Sequence, residues 1–317
     1  MATKSIGLTG RDYSTLSAWA SYVNALSLSA PEVGEVYTDS GAVADTTAVS
    51  IGGYTGSSST NTVTLKAAAS NSFYDNANKL TNALRYNASN GAALTNSVGY
   101  ADAYTINGAN FFIDGLQFRS SSGVASKCLV GKAAKITRTI IQHQGSSAAL
   151  TTEFEVENVA IVTKGSASQG MFMIGTGPKA TDVTVVASTA SSNTGIGQSY
   201  SSGALVKNCA VAGFTTDYSG TVSASSTNNA TDKGSFGGTN YGGSGQTSLV
   251  ATTEWENVTS GSEDLRIKST SAKLKDNGAT TGPAYDIVNT TRSAPYDIGA
   301  WEYSSGVSDT FMGQACL

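Results

Sequence analysis

Apolar and polar positions follow a six-residue pattern that recurs along the middle of this chain. Positions one, four and six are apolar, and the residues between them are mostly polar or small, with Thr139 as the one polar residue at position four. The segments begin 23, 20, 24 and 26 residues apart and are Ile113–Phe118, Ile136–Ile141, Val156–Ile161, Ala180–Val185 and Val206–Val211. A strand-sized motif at this spacing, with no helical pattern between its copies, is typical of a coiled β-solenoid.

The repeat also predicts which side chains stack on one another in successive coils, about 4.8 Å apart. Lys135, Glu155 and Lys179 come just before the motif in consecutive coils, which predicts a ladder of opposite charges on the surface. The third position of the motif is predicted to be a bend whose side chains bond to the backbone or to one another. This position is occupied in chain order by Gly115, Arg138, Asn158, Asp182 and Asn208.

A helical pattern precedes the coils. Its apolar face consists of Leu16, Trp19, Ala20 and Val23. Ser14 or Asp12 can cap the start of this helix, and we expect the helix to cover the open end of the apolar core. The predicted organisation is an N-terminal arm and capping helix at 1–33, a parallel β-helix at 34–303 and an aperiodic tail at 304–317.

Composition narrows the class of protein. Charged residues are 13% of the chain, against about 25% in typical domains, and a net charge of −4 predicts no nucleic-acid partner. No stretch approaches the roughly 18 apolar residues of a membrane span, and the first residues lack the apolar core of a secretory signal. We therefore expect a chain made in a cytoplasm. A stretch rich in Gly, Ser and Asn at 219–246 is expected to form a projecting loop.

Several segments outside the repeats are similar to known proteins. They are Gly10–Trp19 (GRDYSTLSAW), Gly34–Ser40 (GEVYTDS), Asn82–Gly91 (NALRYNASNG) and Asp297–Tyr303 (DIGAWEY). With them the chain resembles right-handed parallel β-helix proteins, and more narrowly a group of structural proteins of tailed bacteriophages. The resemblance implies an all-β fold, a single right-handed parallel β-helix with a short N-terminal capping helix. It carries over no catalytic residue, because the same fold hosts lyases, hydrolases, adhesins and virion parts.

Polysaccharide hydrolysis on such a fold needs two carboxylates about 5–9.5 Å apart. The weak candidates are Glu155 with Glu157, and Glu254 with Glu256. The first pair has lysines stacked above and below, so a surface charge ladder is the favoured interpretation. The second pair flanks Trp255, which is expected to point inward with both glutamates outside.

The sequence gives little support for a metal site or for a catalytic nucleophile. His143 is the only histidine, which excludes a site with several histidines, and it is expected to be a solvated or bend residue. Cys128, Cys209 and Cys316 cannot form a closed disulfide framework, and Cys209 is expected to be a small buried thiol. No cofactor or metal is expected.

The leading functional hypothesis is a non-enzymatic virion component, either a capsid decoration or cementing protein or a rigid element of a head or tail fibre. Its expected location is the virion and its expected partner a major capsid or tail protein, with a homo-oligomer, such as a trimer, as a further expectation. Candidate partner contacts are Leu16, Trp19, Phe311 and Met312. The alternatives are a tailspike that binds or degrades a host surface glycan, and a bacterial surface adhesin.

Overall fold

A computed structural model of the chain describes residues 1–76, 79–124, 126–132, 134–165, 168–199, 203–280 and 282–304. Strands provide nearly all of its regular structure. The helices are α1 (Leu16–Asn24), α2 (Ala251–Glu254) and a 3-10 turn at Lys79–Thr81. The strands are β1 (Ala2–Ile6), β2 (Glu32–Val36), β3 (Val43–Asp45), β4 (Val49–Ile51), β5 (Val63–Ala67), β6 (Ala93–Asn96), β7 (Tyr104–Ile106), β8 (Phe111–Asp114), β9 (Gln117–Ser120), β10 (Leu129–Gly131), β11 (Ala134–His143), β12 (Ala148–Thr152), β13 (Glu155–Thr163), β14 (Gln169–Ile174), β15 (Lys179–Ser199), β16 (Leu205–Lys207), β17 (Ala210–Ser219), β18 (Ala230–Thr231), β19 (Trp255–Asn257) and β20 (Asp264–Ile267).

The parallel pairings of the described strands fall into three sheets that run along the coil, which confirms the predicted parallel β-solenoid. Sheet 1 contains β1, β2, β5, β8, the starts of β11, β13 and β15, and β16. Sheet 2 contains β3, β6, β9, the later parts of β11 and β13, the middle of β15, the start of β17, and β18. Sheet 3 contains β4, β7, β10, β12, β14 and the ends of β15 and β17.

The six-residue repeat places its apolar positions inside the coil, as predicted. Every side chain at positions one, four and six of the five segments is at most 1% exposed. Thr139, the polar exception, is satisfied because its Oγ1 donates a 2.7 Å hydrogen bond to the carbonyl of Thr137. Cys209 is buried as expected, and burial raises the pKa of its thiol.

The third position of the repeat is the bend between sheet 1 and sheet 2. All five residues there have positive φ: Gly115 (73°), Arg138 (42°), Asn158 (53°), Asp182 (56°) and Asn208 (51°). Asn and Asp tolerate this left-handed conformation better than most residues, so their recurrence at this position has a direct backbone cause. The predicted bend is confirmed.

The N-terminal helix forms where the pattern predicts it, but its cap is Thr15 rather than Ser14 or Asp12. The Thr15 Oγ1 accepts a 3.1 Å hydrogen bond from the backbone N–H of Ala18. A β-region backbone at Thr15 allows this capping contact. The buried face of the helix is the predicted one and packs into the interior core.

Asp12 instead helps to close the free edge of the first strand. Strand β1 belongs to sheet 1, so residues 1–33 are not only an arm and helix. On its unpaired edge, the Ser5 N–H donates to Asp12 Oδ2 (2.8 Å) and the Ser5 carbonyl accepts from the Tyr13 N–H (3.0 Å). Occupied edge groups cannot pair with another chain.

The stretch at 219–246 continues the coil and is not a projecting loop. Parallel bridges join Lys207 to Thr227, Thr221 to Thr239 and Ala230 to Gln246. Aromatic rings fill the interior at this end, because Tyr218 lies 4.8 Å from Tyr241 and 5.4 Å from Phe236 between ring centroids. A sequence rich in small residues thus forms irregular coils around a cluster of aromatic side chains.

Beyond these coils the chain folds back along the solenoid, a feature that the predicted 34–303 β-helix did not contain. Strands β19 and β20 pair antiparallel. Residues 274–280 and 282–303 are called the strap; its first part, up to Asn289, runs back along the column of bends, and the remainder reverses and returns beside it. Their contacts are Asn228 Nδ2 to Asn277 O (2.8 Å), Asn208 Nδ2 to Ala279 O (3.0 Å), Asn158 Nδ2 to Tyr285 O (2.8 Å) and Arg138 Nη1 to Asn289 Oδ1 (3.1 Å).

The fold-back is needed because the outer face of sheet 2 is apolar. Its buried outward residues include Ile140, Val162 and Val186, which form a second core with C-terminal side chains. The covering side chains include Trp255, Leu265, Ile287, Ile298 and Trp301. Left uncovered, these outward residues would form an apolar patch of the kind that promotes association.

Arg292 anchors the strap through a buried polar network. Its side chain is 0% exposed and donates to Glu302 Oε2 (3.0 Å), Asn158 Oδ1 (3.1 Å) and the Gly299 carbonyl (2.8 Å). The Asp182 carboxylate, also 0% exposed, lies 3.6 Å from the guanidinium. A bend residue from each of two coils therefore contacts one strap arginine.

Carboxylates also organise the closing segment Asp297–Tyr303. Asp286 accepts from the N–H groups of Thr290 (2.7 Å) and Glu302 (3.1 Å). Asp297 accepts from the N–H of Tyr303, and its own N–H donates to Glu302 Oε2 (3.0 Å). The acidic residues of this segment thus satisfy buried backbone donors of an irregular loop.

Because of these carboxyl groups, we expect the free energy of unfolding to fall as the pH rises from about 4 to about 7. Burial raises the pKa of Asp182 and Asp286 to about 6 and that of Asp297 to about 7. Stability from such groups is fully present below their unfolded pKa of 3.8 and is lost as the pH rises through the folded value. His143 acts in the opposite direction, because burial lowers its pKa to about 4.

Since one pKa unit corresponds to about 1.4 kcal/mol, the three carboxyls outweigh His143 and the net loss should be on the order of a few kcal/mol. Urea denaturation at pH 5 and pH 8 measures it. Asp297→Asn should flatten the dependence by removing one titrating group. Equal or higher stability at pH 8 would contradict the prediction.

Candidate functional site

The outer face of sheet 1 is the place where exposed polar and aromatic side chains converge. The strap and the preceding C-terminal residues cover sheet 2, so its outward side chains are unavailable. On sheet 1, the outward column of consecutive strands includes Phe112, Lys135, Glu155 and Lys179. Glu157 lies one outward position further along the strand than Glu155.

The predicted charge ladder of Lys135, Glu155 and Lys179 is present in part on this face. Lys135 Nζ lies 2.9 Å from Glu157 Oε2 and 3.5 Å from Glu155 Oε2. Lys179 pairs with Glu155 in backbone register but forms no ion pair within the described ranges. Burial raises the pKa of Glu157, while the hydrogen bond from Lys135 opposes the shift and contact with Glu155 adds to it.

The two carboxyl groups of this pair are held by one lysine. Lys135 Nζ lies within 3.5 Å of an oxygen of Glu155 and of Glu157. A glycosidase needs one carboxyl group that is free to protonate the leaving group and another that is free to attack the sugar or activate water. The arrangement therefore suits binding of polar groups better than cleavage of a glycosidic bond.

A cleft lies where the strap meets this face, and we call it the strap cleft. It measures about 270 Å³. Lys135, Arg138 and Glu157 form its solenoid side, and Pro283, Tyr285 and Asn289 form its strap side. Hydrogen bonds of Asn158 to Tyr285 O and of Arg138 to Asn289 Oδ1 hold the two sides together.

A second cleft, which we call the loop cleft, lies at the other end of the same short strands. It measures about 390 Å³ and includes Phe154, Glu155, Thr176 and Lys179. Phe154 and Tyr285 are each 50% exposed. One exposed aromatic residue therefore stands in each cleft, with the charge ladder between them.

Arg138 is held rigidly at the edge of the strap cleft. Its guanidinium donates to both oxygens of Asp114, at 2.8 and 2.5 Å, and lies 4.3 Å from the centroid of the Tyr74 ring. These partners fix a side chain whose own backbone has positive φ. The cleft wall is thus preorganised before any ligand arrives.

The second carboxylate pair is not brought together. Trp255 is buried as predicted, but Glu254 is only 3% exposed and was wrongly expected outside. It accepts hydrogen bonds from Ser271 Oγ and from the Lys273 N–H (3.1 Å). Glu256 is exposed and lines a different cleft with Arg266 and Tyr303.

His143 is buried, which corrects the expectation of a solvated residue. It ends β11 at 0% exposure, and its Nδ1 lies 2.6 Å from Ser120 Oγ. Cys128 is also buried and close to Ser120, and burial raises the pKa of its thiol to about 12. A neutral histidine and a protonated thiol inside the coil lack the access that nucleophilic catalysis needs.

The proposed partner contacts have mixed positions. Leu16 and Trp19 are both 0% exposed inside the chain, so a partner at this end would meet other residues of the helix. Phe311 and Met312 lie outside the described residues. Their predicted role as contacts stays a prediction.

Among the described residues, no group of three or more His, Cys, Asp or Glu side chains is placed to hold a metal ion. No helix in the described part of the chain is long and apolar enough to cross a membrane. No protein-family model, curated protein or solved structure matches the chain. The fold itself defines its class, a parallel β-solenoid.

Proposed function

We propose that this chain is a non-enzymatic structural protein of a tailed-bacteriophage virion, either a capsid decoration protein or a rigid head or tail fibre element. The observation that carries the proposal is that three of the four candidate carboxylates are already engaged. Glu155 and Glu157 share Lys135, and Glu254 is buried under Ser271. A rigid coil whose candidate carboxylates are already paired suits a scaffold. The phage assignment rests on the resemblance of Gly10–Trp19, Gly34–Ser40, Asn82–Gly91 and Asp297–Tyr303.

Two of the four segments that carry the resemblance serve the scaffold itself. Gly10–Trp19 closes the free edge of β1 and covers the first coil. Asp297–Tyr303 docks on sheet 2, where the Ala300 N–H donates to Thr184 Oγ1 (3.0 Å). The cover on sheet 2 leaves sheets 1 and 3 as the lateral faces for attachment to a capsid or tail protein.

Assembly on particles tests the proposal. Phage particles with and without the gene should differ by a density that accommodates the solenoid in cryo-microscopy, and mass spectrometry of purified particles should detect the chain. Removing Ser304–Leu317 and measuring occupancy on undecorated particles asks whether the tail makes the attachment. Absence of the protein from purified particles would refute a virion role.

A polysaccharide-degrading tailspike is the second candidate, favoured by the exposed aromatic residues beside the carboxylates. We expect no release of reducing sugars from host surface polysaccharides, because Lys135 forms ion pairs with both Glu155 and Glu157. The comparison is wild type against Glu157→Gln at several pH values. If the wild type releases reducing sugars and Glu157→Gln does not, the chain is an enzyme and not only a scaffold.

A further inference from the structure

We propose that the outer face of sheet 1 binds a neutral oligosaccharide that spans the strap cleft and the loop cleft. This site does not depend on a virion role, because a fibre, a decoration protein or an adhesin could carry it. The argument rests on the position of the clefts, the pairing of their charges and the exposed aromatic residues.

The two clefts lie at opposite ends of one short strand segment. Glu157 lines the strap cleft and Glu155 lines the loop cleft. A strand rises about 3.3 Å per residue, so these positions are roughly 6–7 Å apart along the backbone. A chain of sugar rings laid along β13 would meet both clefts.

Each cleft combines one exposed aromatic residue with side chains that form hydrogen bonds. The strap cleft places Tyr285 opposite Lys135 and Glu157, and the loop cleft places Phe154 beside Glu155 and Lys179. The CH face of a pyranose ring can pack on an aromatic ring through dispersion and loss of exposed apolar surface. The hydroxyl groups of the same ring would face the polar side chains.

The charges favour a neutral ligand. The strap cleft contains Lys135, Arg138 and Glu157, and the loop cleft contains Glu153, Glu155 and Lys179. An anion that spans both clefts would face the two carboxylates of the loop cleft, and a cation would face the two cations of the strap cleft. A sugar hydroxyl can donate to a carboxylate and accept from an ammonium group at once. A polyhydroxylated neutral chain therefore uses every side chain that the two clefts offer.

A peptide fits this face less well. In sheet 1, the starts of β11, β13 and β15 each pair on both sides, so their backbone groups are used within the solenoid. No strand edge is open there to receive a further strand. Recognition at this face therefore depends on side chains. These side chains make short-range contacts with the hydroxyl groups and ring faces of a ligand.

The strap cleft, at about 270 Å³, is slightly smaller than the range of about 300–1,000 Å³ for drug-sized ligands. It therefore accommodates one ring at a time, and affinity must come from contacts in both clefts. We expect a Kd between about 10 µM and 1 mM for a hexasaccharide.

The test is binding of defined oligosaccharides by saturation-transfer NMR. The probes are neutral hexasaccharides of glucose (α- and β-linked), mannose and N-acetylglucosamine, with hexagalacturonate as the anionic probe. The variants are Tyr285→Ala and Phe154→Ala, both at half-exposed positions. The matched control is Tyr100→Ala, because Tyr100 is 87% exposed and lies between β6 and β7, away from sheet 1.

We expect at least one neutral hexasaccharide to bind, and each cleft variant to bind it about tenfold more weakly. Tyr100→Ala should bind as the wild type does, and thermal unfolding of all variants should coincide. Binding of hexagalacturonate alone, no binding of any probe at millimolar concentration, or equal loss in Tyr100→Ala would overturn the proposal. None of these results bears on whether the chain is found in particles.

Discussion

Arg292→Met is expected to lower the free energy of unfolding by about 3–5 kcal/mol, the usual effect of removing one partner from a buried ion pair. Arg292 is the cation that Asp182 and Glu302 contact, and all three side chains are at most 4% exposed. Without it, the two carboxylates stay in a medium that disfavours charge. The Gly299 carbonyl and Asn158 Oδ1 would also lose a donor.

Urea denaturation at pH 7.5 measures the loss, and proteolysis of the strap reports where it begins. The matched control is Arg85→Met, because Arg85 donates one exposed hydrogen bond to the Gly261 carbonyl and should contribute within about 0.5 kcal/mol. The effect of Arg292→Met should shrink at pH 5, where Asp182 can take up a proton. A loss below about 1 kcal/mol at pH 7.5 would show that the network is not the anchor.

Trp19→Ala is expected to lower the free energy of unfolding by a similar amount, about 3–5 kcal/mol. Trp19 is 0% exposed and covers the interior at the first coil. Its removal would leave a cavity next to the strand that begins the solenoid. Ser21→Ala, on the exposed side of the same helix, should change stability by less than about 1 kcal/mol.

The packing of Trp19 on Gly34 supplies a second measurement. A Cβ added at Gly34 would lie 2.6 Å from Trp19 Cζ2, so Gly34→Ala should cost about 1–3 kcal/mol through overpacking. In the double variant the clash partner is gone, and the combined loss should be smaller than the sum of the two single losses. Additive losses would mean that the two residues do not contact each other in solution.

The sequence predicts the interior of the solenoid well because its pattern records local geometry. Side chains of a strand alternate between two faces, and a left-handed bend selects Gly, Asn and Asp. These constraints repeat in every coil, so Val156, Val159 and Asn158 could all be assigned from spacing. The cap residue Thr15 was missed because Ser14 and Asp12 carry the same chemistry within a few positions.

The strap could not be predicted in this way. Its contacts are set by the tertiary fold, such as Asn158 with the carbonyl of Tyr285, residues that are 127 positions apart. The outward apolar residues Ile140, Val162 and Val186 were the available signal, since an outward apolar column needs a cover. His143 was misassigned for a related reason, because the corner between sheets 2 and 3 is buried.

For the candidate site, the sequence predicted the charged column of Lys135 and Glu155 but not the aromatic residues beside it. Phe154 precedes a strand and Tyr285 lies in the strap, and neither belongs to a repeat. Nothing in their local sequence indicates that they flank the same sheet. The site depends on the fold-back of the strap, which the six-residue repeat does not predict.

The strap also contacts the coils that it crosses in a fixed register. Asn277, Ala279, Tyr285 and Asn289 each meet a bend side chain of a different coil. Duplicating one coil would displace every later bend by about 4.8 Å along the axis, and the strap would lose its register with them. Unlike open-ended repeat proteins, this chain can gain a coil only if the strap lengthens by a matching amount. The strap therefore fixes the number of coils.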